Sequence, residues 1–436
     1  MPQMRRPALF ATLGLLAIAA SPACATEGYF VEGVSARDQS LAGAGSANSK
    51  EALTIANNPA GLVDVGRQFN GDLSIFAPSR QYDASGTVLV APGTVESGRN
   101  VFVFPALAYA APLSGDSAFG IGLYANGGMN TSYTTSAAGY ACPRGASGVF
   151  CAGHTGVDLQ QGFISLGYAQ RFGSVSVGVA PVLAVQLFQA YGLGAFGSFG
   201  LSSNPGDLSD RGVDTSVGGG VRAGAQWHAA DNFTLAVSGA TPIWASSFSK
   251  YAGLFAGGGS FDVPGEIGAG VAYKATPVLT LLLDYKHIFY SGVNSVGNSS
   301  ALTSPLGSAN GPGFGWRDVD VIAFGVEWRA LDHLTLRAGY AYNTNPITAA
   351  DVTFNILAPG VVTNHITGGF GYAVDRNSSL DFAAVFSPRV TVSGAEVTPY
   401  GATPGSNIRI SMSQFEGTVG YTYRFDAPAP VVVAKY

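Results

Sequence analysis

Ile322 to Tyr342 reads IAFGVEWRALDHLTLRAGYAY, two alternating runs joined by Leu331-Asp332-His333. In the second run Leu334, Leu336, Ala338, Tyr340 and Tyr342 share one face. Thr335, Arg337, Gly339 and Ala341 share the other, because successive side chains of a strand point to opposite sides. In the first run Ile322, Phe324, Val326 and Trp328 fall together, opposite Glu327 and Arg329. A greasy, aromatic face backed by a small or charged one suits a strand with lipid on one side and a filled lumen on the other. Near the chain's end Phe415, Val419, Tyr421, Tyr423 and Phe425 alternate in the same way with Gln414, Glu416, Thr418, Thr422 and Arg424.

The same rhythm divides Gly66 to Phe425 into fourteen stretches. Tight turns fall near Ser114-Gly115-Asp116, Gly173-Ser174, Ala230-Asp231, Thr276-Pro277, Leu331-Asp332 and Asp375-Arg376-Asn377. Long connections run over about 80–98, 127–155, 189–212, 247–260, 292–316, 345–361 and 392–407. Short turns on one side and long loops on the other predict an all-β fold, a 14-stranded antiparallel transmembrane β-barrel over 66–425 with both ends in the periplasm. That places the chain in the outer membrane of a Gram-negative cell.

Composition agrees. Only 11% of residues are charged, against roughly 25% in soluble domains. A soluble sandwich or propeller would carry more charge on its outer face, where this chain carries Phe, Tyr, Leu, Val and Trp. No later segment offers the ~18 to 20 apolar residues that a membrane helix needs. A net charge of −5 with no basic run argues against a nucleic-acid partner.

Residues 1–25 read as a secretory signal: Arg5 and Arg6, an apolar core from Ala8 to Ala20, and the small-x-small site Ala23-Cys24-Ala25. The mature chain then starts at Thr26. Cys24 as an acylated lipoprotein cysteine is the alternative, and Ser21 and Pro22 stand where that signal would have an aliphatic residue. Cys142 and Cys151, an even pair in an exported chain, predict one disulfide closing a surface loop. A metal held by both with His154 is the alternative, but a fourth ligand is missing nearby. No cofactor is expected.

Thr26 to Val65 does not alternate. Its small residues and two short helical turns suit a plug packed inside the barrel, since a lumen of this size leaks unless filled. The stretch GYFVEGVSARDQSLAGAGSANSKEALTIANNPAGL resembles the N-terminal hatch of the FadL-type outer-membrane transporters of long-chain fatty acids and hydrocarbons, including their Asn-Pro-Ala motif at Asn58, Pro59 and Ala60. Val263-Pro264-Gly265-Glu266 with LTLLLDYKHIFYSGV, and GFGWRDVDVIAFGVEWRALDHLTLRAGYAYNTNPI, resemble the family too. The tail, 426–436, departs from it, since such barrels usually stop at an aromatic like Phe425. Whether assembly reads Phe425 or Tyr436 stays open.

The resemblance implies passive uptake of hydrophobic compounds: capture between outer loops, a pocket against the hatch, and sideways release where the third strand kinks. The third strand here runs from Phe119 to about Asn130. Its Asn126, Gly127 and Gly128 are the residues that permit a bend, although they also suit the start of a loop. The loop at 189–212 is unusually apolar for an exposed segment, and Leu193, Phe196, Phe199 and Leu201 are its candidate capture residues. Packing against neighbouring loops as a cap is the other reading of them. Arg222, Lys286, Glu327, Arg329, Arg337, Asp381, Glu416 and Arg424 are assigned to the lumen, as wall salt bridges or as a grip on a fatty-acid carboxylate. The expected partners are hydrophobic small molecules, outer-membrane lipid and lipopolysaccharide, with the barrel working as a monomer. An outer-membrane lipid-hydrolysing enzyme would need a nucleophile and base, yet no Gly-x-Ser-x-Gly appears and the five His are scattered. An adhesin or structural barrel would need neither hatch nor capture loop.

Overall fold

The computed structural model of the chain describes residues 27–426 apart from 138–139 and 143–144. The expected signal sequence with Cys24, and tail residues 427–436, lie outside the described residues. A sixteen-stranded antiparallel sheet includes two short ribbons, Gly93–Glu96 and Trp244–Ala245, leaving fourteen staves. These are β1 Gln68–Ser85, β2 Phe102–Pro112, β3 Ser117–Tyr133, β4 Thr155–Phe172, β5 Val175–Tyr191, β6 Asp214–Ala230 and β7 Phe233–Ala240. The second half is β8 Glu266–Thr276, β9 Leu279–Ile288, β10 Val319–Leu331, β11 Leu334–Asn343, β12 Asn364–Ala373, β13 Ser378–Gly394 and β14 Asn407–Arg424. Each pairs with its sequence neighbour, and β14 pairs with β1 from Gln68↔Arg424 to Ser85↔Asn407, closing the sheet. Closure removes the open edges that no lipid could hydrogen-bond.

About 9 to 11 residues of tilted strand cross a bilayer, so the ten residues of β9, β11 and β12 suffice, while the eighteen of β1, β4 and β14 project beyond it. The alternation holds in space. Ile322, Phe324, Trp328, Tyr340 and Tyr342 are exposed on the outer face, whereas Ala323 and Ala341 are buried. Among the described residues no helix is long and apolar enough to cross a membrane.

Residues 27–65 pack against the inward-facing side chains of the wall. Helix α1, Ala36–Ser40, is capped by the Ser35 hydroxyl, which accepts from the Asp38 N–H. After 3₁₀ turns at Ala52–Ala56 and Pro59–Gly61, α2 Leu62–Val65 leads into β1. Wall polar groups seat this segment. Arg37 pairs with Glu327 at 3.1 Å, Gln39 donates to Glu416 at 2.8 Å, and Asn70 accepts from the Ala52 N–H at 2.6 Å. Tyr29, Leu41, Leu53, Ile55 and Leu62 are fully buried between hatch and wall. Hydrophobic burial and satisfied polar bonds therefore hold it together.

Candidate functional site

Alternation along β3 changes phase. Tyr124 pairs with inward-facing Phe163 of β4, but Gly127, Met129 and Thr131 pair with inward-facing Gln161, Leu159 and Val157. Asn126 is the extra residue, lying between the consecutive pairs Ala125↔Gly162 and Gly127↔Gln161, a β-bulge that bends the strand. Pairing of β3 with β2 stops at Leu107↔Leu123. Phe102–Ala106 of β2 and Tyr124–Tyr133 of β3 then run without ladder pairing to each other, a slot in the hydrogen-bonded sheet. Its outer rim is tied by Gly98 N–H to Ser132 O at 2.8 Å, and by the Arg80 guanidinium donating to the Asn130 and Arg99 carbonyls.

The start of the hatch lies across the bulge. Val31 N–H donates to Asn126 O at 3.0 Å, and Gly128 N–H to Tyr29 O at 3.1 Å. A Cβ on Gly127 would fall 1.9 Å from Tyr29 O, so only glycine admits this approach. The same segment is latched from outside. Tyr290, in the loop after β9, donates its hydroxyl to Glu27 O at 2.5 Å and accepts from Tyr29 N–H at 3.1 Å and Phe30 N–H at 3.3 Å. Burial pushes this phenol well above its ordinary pKa, so it stays a neutral donor. Trp316 packs against both Tyr290 and Tyr29, at ring distances of 5.2 and 5.9 Å. Nothing in the sequence pairs Tyr290 with Tyr29.

The Asn58-Pro59-Ala60 corner lies against β5 and β6. Asn58 donates to Ser46 O at 3.1 Å and Ala225 O at 3.3 Å, and its Oδ1 accepts from Ala60 N–H at 3.1 Å. Cβ atoms on Gly178 or Gly224 would intrude within 2.4 Å of this corner. Asn58→Ala is expected to leave the barrel folded and to loosen the hatch by about 1–3 kcal/mol, the cost of stranding buried polar groups. Limited proteolysis of residues 27–65 should accelerate and uptake should fall; an unchanged protease pattern would refute it.

Of the loop residues, Leu193 and Phe196 are fully buried and Leu201 half-buried, while Phe199 stands 68% exposed. The buried pair helps line an apolar chamber of about 40 Å³ with Phe188, Phe255, Phe314 and Phe354. From there rings run inward in close succession: Phe188 to Phe255 at 4.7 Å, Phe255 to Phe261 at 4.8 Å, Phe261 to Tyr29 at 6.2 Å and Tyr29 to Phe30 at 5.3 Å. Phe30 borders a second cavity of about 80 Å³ between hatch and wall.

Six of the assigned luminal charges face inward, and they include the ion pairs Arg222 with Glu266, Lys286 with Glu27, and Arg337 with Glu327 and Asp381. Arg329 and Arg424 belong instead to the periplasmic rim, where Arg329 is exposed and donates to Pro277 O at 3.3 Å. Strand parity fixes the face of a side chain but not its depth. Cys142 and Cys151 form a disulfide, while His154 turns to Ser132 at 2.9 Å and stacks near Tyr191. Among the described residues no group of three His, Cys, Asp or Glu could hold a metal ion.

Residues 229–425 match the family described as outer membrane protein transport protein (OMPP1/FadL/TodX). No curated protein sequence matches the chain. Among solved structures, the Pseudomonas putida toluene transporter TodX is 20% identical, over 90% of this chain and 99% of its own, with a TM-score of 0.66. The Ralstonia pickettii toluene transporter TbuX is 19% identical over 91% and 99%, with a TM-score of 0.64. A Pseudomonas aeruginosa FadL homologue is 16% identical over 92% and 100%, with a TM-score of 0.68. At these identities the structures speak for the fold alone, and the family match covers less than half of the chain. The chain is thus a closed 14-stranded barrel with the fold of these outer-membrane transporters, and its residues 229–425 are similar to the OMPP1/FadL/TodX family.

Proposed function

We propose that this barrel takes up hydrophobic compounds passively, capturing them in the outer chamber, passing them along the aromatic rings to the hatch, and releasing them sideways through the slot beside β3. The observation that carries the reading is the coincidence of slot and hatch: Tyr29–Val31 pairs with the very bulge that separates β3 from β2. A plain porin would need neither feature, and an apolar solute gains nothing from a water-filled channel. In this reading residues 1–25 direct export, 26–65 act as plug, 66–425 form the wall, and 426–436 are a periplasmic tail. The outer loops meet lipopolysaccharide, the slot opens to lipid, and one copy suffices. The relatives named as toluene transporters make hydrocarbons natural first substrates.

The test is uptake of labelled toluene and laurate by cells lacking their own transporters of this kind, with and without this chain. Uptake no faster than in the empty strain would overturn the proposal. Phe196→Asp puts a charge into the chamber and should slow uptake about tenfold at low substrate concentration, since a buried unpaired charge costs several kcal/mol. Equal rates in that variant would remove the chamber from the route.

A further inference from the structure

We infer that the pore selects uncharged hydrocarbons and turns carboxylates away. This rests on the transport reading and sharpens it, because the fold alone leaves fatty acids and hydrocarbons equal. Among the described residues, none that is charged lines the outer chamber. The cavity beside the hatch is lined by five carboxylates, Glu27, Glu32, Asp38, Glu266 and Asp284, and two cations, Arg222 and Lys286. Both cations are already engaged, Arg222 by Glu266 at 2.7 Å and Lys286 by Glu27. Deeper in the lumen Arg37 and Arg337 share Glu327, and Arg337 also binds Asp381 at 2.6 Å. A carboxylate is held by an unspent Arg or Lys, and this cavity presents none.

The remaining carboxyls offer an anion no grip either. Glu32 is 5% exposed, borders the cavity, and neither of its oxygens has a hydrogen-bond partner among the described residues. The His365 ring is 3.9 Å away, but its two nitrogens are taken by Asn343 and Ser387, each at 2.8 Å. Asp284 is met by the N–H groups of Gly45 and Ser46, with no cation among its described ion-pair partners. A carboxylate brought into this space leaves water without gaining a cation in exchange. Hydrocarbon needs only the apolar part of the lining, from Phe30, Val31, Val34, Tyr124 and Val321. Arg80 is buried inside the wall with no carboxylate partner among the described residues, but it lies outside this cavity. Its terminal nitrogens are spent on the Asn130 and Arg99 carbonyls at the slot's rim.

The experiment compares labelled toluene, laurate and dodecylammonium at neutral pH in cells lacking other transporters of this kind. The wild type should take up toluene at least tenfold faster above background than laurate. Glu27→Gln releases Lys286 as an unspent cation and should raise the laurate-to-toluene ratio at least fivefold. Glu266→Gln, which releases Arg222, should raise it in the same way. Heat-shifted gel mobility certifies folding, and Glu266→Gln decides if Glu27→Gln does not fold. A wild-type ratio near one, a ratio unmoved in the folded variant, or dodecylammonium outpacing toluene would overturn the inference and leave transport standing. No uptake of any probe overturns the transport reading itself.

Discussion

Deleting Asn126 is expected to cut hydrocarbon uptake at least tenfold while the barrel still folds. Asn126 is the one residue of β3 without its own place in the ladder to β4, where Ala125↔Gly162 is followed directly by Gly127↔Gln161. Its removal therefore keeps every β3–β4 pair and restores one phase of alternation, with Tyr124 and Gly127 inward and Ala125 outward between them. A β3 without the bulge no longer bends there, and its edge beyond Leu123 can come beside Phe102–Ala106 of β2. Main-chain groups that now face the slot gain partners, and inside a membrane that gain is large. The slot closes at no cost to the sheet, although the hatch loses the bond from Val31 N–H to Asn126 O. Gel mobility and thermal unfolding should match or exceed those of the parent. A folded deletion variant with normal uptake would show that substrate leaves by another route.

That slot also marks where reading the sequence stopped. Alternation in Leu334 to Tyr342 gave the strand, its faces and its turn, because burial against lipid on one side and hatch on the other imposes a strict period of two. The corner at Asn58-Pro59 was legible because proline fixes its own backbone and restricts its neighbour. Asn126-Gly127-Gly128 was ambiguous for a physical reason: glycines suit a bulge and a loop equally, and only the pairing with β4 tells them apart. Leu193 and Phe196 differ from Phe199 by which of them reach Phe188 and Phe354 across other loops, a matter of tertiary contact that a single apolar stretch does not encode. The Tyr290 latch was invisible, because its partners lie 260 and 261 residues away.

Tyr290→Phe is expected to loosen the hatch by a factor of ~30 to 1,000 while keeping the ring in place. The lost hydroxyl receives the Tyr29 and Phe30 N–H groups and donates to Glu27 O, all in a buried site. Each stranded group costs about 1–3 kcal/mol, and some recover partners, so a net of about 2–4 kcal/mol is reasonable. At about 1.4 kcal/mol per tenfold, that shifts the latch equilibrium by the factor given. Phenylalanine still packs on Trp316 and Tyr29, so the outer loops should stay ordered and the barrel's unfolding temperature should barely move. Amide exchange in detergent should quicken for Tyr29 and Phe30 and not for the core of β11, since exchange reads local opening. If withdrawal of Tyr29–Val31 limits release, uptake should rise with it, because a closed state made less stable is left more often. Faster exchange with unchanged uptake would place the slow step at capture, and unchanged exchange would mean that the wall alone holds the hatch.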